Sequence, residues 1–275
     1  MSQLNRFVDL DRYPIHRLKH DEGRSLVSKC RQEIAGNSFC ALPGFILPEA
    51  LAQLSREAVS MENIARRLDY PVTLYSWMDN SGFPEDHPRS ALLKRRCGAI
   101  TADQFAGDSQ CRALYECDEI TDFVRSLLGY DTLYRSADPA ISLRMNVMGT
   151  GDIFDWHFDT NDGAVSLLLQ CADRGGVFEY APLIRSETDE NYAAVSAIVN
   201  GLAEPRRAEM PPGTFMLFMG RRSLHRVSAV GATRNLRHSL LFSYDRRPGM
   251  TFPEETRRRL TEPSGAPYRG ALTPG

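Results

Sequence analysis

The sequence predicts an α+β chain built on an antiparallel barrel or sandwich, and three observations predict it. Helical periodicity dominates as far as about residue 130. From residue 132 the texture changes to short apolar runs broken by Gly, Pro and Asp. Two of those runs alternate between the faces of a strand. Helices first and strands afterwards is the order of an α+β chain, not of a parallel α/β sheet. The chain has 275 residues, 42% hydrophobic and 25% charged, and reads as one domain, 1–275. Within it, 1–130 is a mainly helical part with a long loop, 131–247 the barrel core and 248–275 a loosely held tail rich in Pro, Gly, Arg and Thr.

In chain order, residues 21–35 carry Leu26, Val27, Cys30 and Ile34 at helical spacing behind an acidic start, which suits the positive end of a helix dipole. Residues 38–42 read as a short strand stopped by Pro43-Gly44. A second helix begins near Pro48, a favourable first-turn residue, and runs to about Arg67. Residues 72–77 look extended, and 79–100 read as a long loop. Helical periodicity returns over 112–128 and closes at Gly129. The predicted strands then follow at 132–136, 141–148, 164–170, 177–180, 214–218, 224–228 and 236–244, interrupted by one helix over about 187–200.

The period-2 pattern carries the functional signal. Ile141, Leu143, Met145 and Val147 share one strand face, and Ser142, Arg144, Asn146 and Met148 the other. Leu236, His238, Leu240, Phe242 and Tyr244 oppose Arg237, Ser239, Leu241 and Ser243 in the same way. An apolar face under helices with a polar face opposite fits a barrel around a binding cavity. It also fits a sheet with one solvated face.

The totals exclude several classes of function. A formal net charge of −2 gives no global field for nucleic acid, and the arginine clusters at 206–207, 221–222, 246–247 and 257–259 are short and scattered. No apolar run approaches the roughly 20 residues that span a bilayer, and the N-terminal stretch has no apolar segment of a secretion signal. The six cysteines show no Cys-x-x-Cys and no zinc spacing, as expected of reduced cysteines in a cytoplasmic protein.

The candidate chemistry centres on residues 155–159, Asp-Trp-His-Phe-Asp. His157 and Asp159 are two apart, so in an extended segment they emerge on one face, roughly 7 Å apart. An imidazole and a carboxylate side by side are two thirds of the facial triad that suits non-haem Fe(II). Of the remaining histidines, His238 falls on an apolar strand face, where a core histidine is the ordinary outcome. His225 is the better third ligand. Arg237 and Ser239 share a polar face and together offer charge-assisted hydrogen bonds to a distal carboxylate. Trp156 points to the opposite face, where packing is its expected role.

In this order, His157-x-Asp159, His225 and Arg237-x-Ser239 resemble the pattern of the Fe(II)/2-oxoglutarate-dependent oxygenases. Asn146 matches a position where some members place an amide against 2-oxoglutarate; it is expected either there or behind a metal ligand. The segments 86–89, 133–139, 156–159, 175–182, 189–192 and 220–227 further resemble the BesD/HalD-type branch of amino-acid halogenases and hydroxylases, over about residues 80 to 260. The resemblance implies a double-stranded β-helix, a jelly-roll or cupin-like antiparallel barrel flanked by N-terminal helices. It implies Fe(II) held by His157, Asp159 and His225, 2-oxoglutarate as cosubstrate on Arg237, Ser239 and Asn146, and O2 as oxidant. The halogenases carry a small residue where this chain has Asp159, which predicts hydroxylation.

The expected partner is a small molecule, a free or modified amino acid in first place, with neither nucleic acid nor membrane. A nucleotide or other small metabolite is the alternative substrate, and the oligomeric state is left open, a homodimer included. By resemblance Arg89 would meet a substrate α-carboxylate and Asp138 an amine. Arg144, on the polar face, would meet a substrate anion or else an internal partner, Asp138 or Glu179. Phe154 and Leu241 are apolar where lysine-using members have polar groups, which disfavours free lysine. A cupin-like metal protein without oxygenase activity could share the ligands but would not need Arg237 and Ser239, and a metal-free barrel would leave the ligand pair accidental.

Overall fold

The computed structural model describes residues 3–262. Its first half runs α1 (Asp21–Asn37), β1 (Phe39–Leu42), α2 (Pro48–Ser60), β2 (Arg66–Thr73), β3 (Leu92–Thr101), α3 (Gln110–Tyr115) and α4 (Asp118–Leu128). The second half runs β4 (Tyr134–Arg135), β5 (Leu143–Met148), β6 (Ile153–His157), β7 (Ala164–Gln170), β8 (Phe178–Ala181), α5 (Tyr192–Val199), β9 (Arg206–Ala208), β10 (Phe215–Phe218), β11 (Leu224–Val227), β12 (Arg237–Phe242), β13 (Tyr244–Asp245) and α6 (Glu254–Thr261). Among the described residues, eleven strands form one antiparallel sheet in the order β1-β10-β7-β12-β5-β3-β6-β11-β8-β9, with β2 beside β3. No helix is long and apolar enough to cross a membrane among these residues.

The alternation read from β5 and β12 decides which face is which. The two strands pair antiparallel with Val147 opposite His238, Met145 opposite Leu240 and Leu143 opposite Phe242. These side chains join one core cluster with Leu54 of α2 and Phe123 and Val124 of α4, His238 being fully buried beside them. Each fully buried Leu, Val or Phe there contributes about 1.5–3 kcal/mol. The other face of the same strands is not solvated: Asn146, Arg237 and Ser239 are all buried, so it lines an interior.

Three expectations are corrected. The loop predicted over 79–100 ends before Leu92, because 92–101 form β3, a ten-residue strand inside the sheet. Its charges hid it: Lys94 is exposed, and Arg96 turns toward Asp69 and Asp152. The helix expected to reach Arg67 stops at Ser60, and β2 starts at Arg66. Part of the tail expected to be loosely held is α6, whose Leu260 packs with Leu68, Cys97 and Met148; residues 263–275 lie outside the described residues.

Candidate metal centre

Strands β6 and β11 lie side by side with His157 directly opposite His225. The ladder then slips: two steps along β11, from His225 to Val227, match three along β6, from His157 to Phe154. The extra residue of this bulge turns Phe154 onto the face of His157. Their rings stack at 3.7 Å and 10°.

Past the end of β6 the chain is pinned by two backbone bonds, Phe158 N–H to Leu74 O at 3.0 Å and Asp159 N–H to Gly220 O at 3.0 Å. This holds the Asp159 carboxylate against the two imidazoles, with Oδ1 3.8 Å from His157 Nε2 and Oδ2 3.5 Å from His225 Nε2. The potential ligand atoms of the three residues lie within 4.8 Å of one another.

The donor set fits a metal ion on three grounds. His157 Nδ1 lies 2.8 Å from Asp155 O and His225 Nδ1 3.0 Å from Ser223 O. A carbonyl only accepts, so each Nδ1 carries the proton and each Nε2 presents a lone pair, the arrangement typical of ligating histidines. Asp159 Oδ2 is buried without a hydrogen-bond partner, and such an oxygen is costly unless a cation meets it. Burial, and then the neighbouring His225, push His157 well below the ordinary histidine value, which keeps it neutral and able to ligate.

The space for Asp159 depends on a residue that spacing alone does not reveal. A Cβ at Gly220 would stand 1.9 Å from Asp159 Oδ2, so only glycine lets the carboxylate lie there. Gly176 packs close on the arginine: its φ is +64°, which favours glycine, and a Cβ would stand 3.0 Å from Arg237 Cδ.

Arg237, Ser239 and Asn146 are brought together on the inner face. Ser239 is paired with Asn146 across β12 and β5, and Arg237 Nη1 donates to Ser239 Oγ at 3.1 Å. Arg237 is 7% exposed and has no carboxylate partner among the described residues. Burial pulls its guanidinium down to about 10, so it is still charged at neutral pH and in need of an anion. Asn146 Oδ1 is likewise buried without a partner.

The substrate-side residues fare differently. Arg144 lies on the inner face opposite Leu241, with its Nε buried and unpartnered. Neither internal partner expected for it is available. Glu179 bonds Arg207 and Arg226. Asp138 accepts the N–H groups of Ala140, Ile141 and Phe252, which makes it a turn-capping group. Arg89 is already engaged, donating to Asn80 Oδ1 at 2.7 Å, to the Asp79 carbonyl and to Tyr192 Oη at 3.3 Å. That placement ties the guanidinium to its own loop and to the first residue of α5. Trp156 faces away, buried, with the Arg226 guanidinium 4.4 Å from its ring.

One residue was missed from the sequence. Arg95 on β3 sits opposite Phe154, its Cζ 4.3 Å from that ring. The alternation of Leu93, Arg95, Cys97 and Ala99 against Lys94 and Arg96 would have found it, had the run been taken as a strand.

No family model matches the chain, and no curated protein matches it in sequence. Solved structures do. AviO1 from Streptomyces viridochromogenes Tue57 aligns with a TM-score of 0.55 at 12% identity, over 82% of this chain and 97% of that one. SnoN, a non-haem α-ketoglutarate-dependent epimerase from nogalamycin biosynthesis, aligns with 0.54 at 13% identity, over 92% and 97%. The fold is theirs, a jelly roll. EctD from S. alaskensis, solved with 2-oxoglutarate and 5-hydroxyectoine, shares it with 0.52 at 18% identity, over 79% and 75%.

Proposed function

We propose that this protein is an Fe(II)- and 2-oxoglutarate-dependent dioxygenase that hydroxylates an unactivated C–H bond of a small molecule, a free or modified amino acid in first place. One observation supports it above the others: the sheet that carries the triad of ligand atoms also buries an arginine, Arg237, with no carboxylate among the described residues to meet it. A metal-binding barrel without a dicarboxylate cosubstrate has no use for that charge. The likeness in fold to SnoN and EctD supports the same reading.

Fe(II) with 2-oxoglutarate would supply the oxidising power, O2 taking two electrons from decarboxylation of the cosubstrate to succinate and CO2 and two from the C–H bond. His157 and His225 would hold the ion through Nε2, each ring fixed by its Nδ1–H on a backbone carbonyl. Asp159 would complete the face. Arg237 and Ser239 would take the distal carboxylate of the cosubstrate, which removes the cost of burying the guanidinium. Asn146 would offer its amide to the same molecule. Phe154, stacked on His157, keeps water from that side of the ring. Asp159 also supports hydroxylation over halogenation, because its carboxylate fills the place a chloride would need.

The test is succinate release that requires both Fe(II) and 2-oxoglutarate and disappears in His157→Ala. Absence of 2-oxoglutarate binding to the anaerobic Fe(II) protein would overturn the reading.

A further inference from the structure

Arg95 and Arg144 are the two inner-face guanidinium groups that this reading leaves unused. Arg95 is 9% exposed, and its Nε and Nη2 are buried without hydrogen-bond partners, as is the Nε of Arg144. Neither forms an ion pair with a carboxylate among the described residues. The titratable groups whose fields reach both are Tyr70 on β2, Cys97 on β3 and Asp159; they hold Arg95 above its ordinary value despite its burial, while Arg95 opposes the charge on Arg144. Burial first, and then the like charge of Arg95, pull Arg144 down to about 10. Phe154 and Leu241 flank the pair with apolar surface.

Buried guanidinium groups without a carboxylate partner are costly, and the cost is recovered when an anion meets them. Asp159, the carboxylate among the described residues whose field is felt most at both, is engaged by the metal-ligand set. With Arg237 included, three guanidinium groups and a divalent ion would face one carboxylate and a dianionic cosubstrate, which leaves a positive surplus for the substrate to match.

We propose that Arg95 and Arg144 form the receptor for an oxyanion of the substrate, a carboxylate or a phosphate, so that the molecule oxidised is an acid held with its anionic group beside Phe154. The proposal rests on the oxygenase reading for the word substrate, though not for the existence of the anion site. Tyr70, opposite Arg95 across β2 and β3 and 5.8 Å from its Cζ, also lines a cleft of about 860 Å³ against α6.

The experiment titrates acetate and, separately, inorganic phosphate into the full-length protein held anaerobically with Fe(II) and 2-oxoglutarate, read by calorimetry. The cosubstrate occupies Arg237, and without O2 there is no turnover. Saturable binding of at least one ion, weakened about tenfold or more in both Arg95→Gln and Arg144→Gln, is the expected result; the stronger ion names the oxyanion. No saturable binding, or equal affinity in the wild type and both variants, overturns the proposal. Without added anion, Arg144→Gln should keep or raise the Tm, since burial and the like charge of Arg95 hold Arg144 below its ordinary value. A lower Tm in both together with unchanged anion affinity assigns the arginines a structural role and also overturns it. His157→Ala separates the two readings: it should lose succinate release, yet its anion binding should still weaken when Arg95→Gln or Arg144→Gln is added. Anion binding through Arg95 and Arg144 in a wild-type protein that releases no succinate would leave the receptor standing and sink the oxygenase.

Discussion

Gly220 and Asp159 occupy each other's space: a Cβ on the glycine would stand 1.9 Å from the carboxylate Oδ2, while the glycine carbonyl takes the Asp159 N–H at 3.0 Å. The residue that anchors the carboxylate's backbone therefore also determines whether its side chain fits. Gly220→Ala should displace Asp159 from the two imidazoles and weaken divalent-metal affinity about 10- to 100-fold, the usual cost of disturbing a ligand's support. Metal titration followed by a bound-ion assay measures this. A variant that binds metal like the wild type would show that Asp159 is not held as a ligand.

Arg237 should govern the cosubstrate. Replacing it with Gln removes the guanidinium that lies buried against Ser239, and 2-oxoglutarate binding should weaken by about 2–5 kcal/mol, the range for truncating one side of a buried charge pair. Calorimetry on the anaerobic Fe(II) protein gives the number directly. Metal affinity itself should barely change, which separates this effect from a loss of the triad.

Stability of the metal-free protein should depend on pH with a defined sign. His157 is held well below its ordinary value by burial and by His225. The unfolded chain binds a proton near pH 6.5 while the folded one does not. Stability is therefore fully present above that pH and declines as pH falls below it. Thermal melts in chelator between pH 8 and 5 should show the decline, and it should shrink in His157→Asn. A flat profile in the wild type would mean the imidazole titrates freely.

Asp159 should also set the reaction outcome. In chloride buffer the unmodified protein should yield only oxygenated product, detected by mass spectrometry of a turned-over substrate. A chlorinated product would contradict the role given to the carboxylate.

Much of the candidate site was readable one residue at a time. His157, Asp159, His225, Arg237 and Ser239 are chemical types whose meaning depends on local spacing, and strand alternation assigned Asn146 and Arg144 to the inner face before any coordinates. The ends of β5 and β12 were placed within a few residues for the same reason, since a period of two is a local property of the chain.

What the tertiary structure decided is whether each charge finds a partner. Asp138 and Arg89 are satisfied by neighbours close in the chain and by others 103 and 114 residues away, and no spacing rule reports those contacts. Seating β3 between β5 and β6 turned a basic stretch with the texture of a loop into a strand with a buried guanidinium at Arg95. The bulge in β6 and the bare Cα of Gly220 are likewise properties of two strands meeting. The sequence by itself determined which groups this protein can offer to a metal and, on the proposed reading, to a dicarboxylate. Burial and pairing, which arise only when distant segments pack, decided which of its charges are spent on the fold and which are left for a ligand.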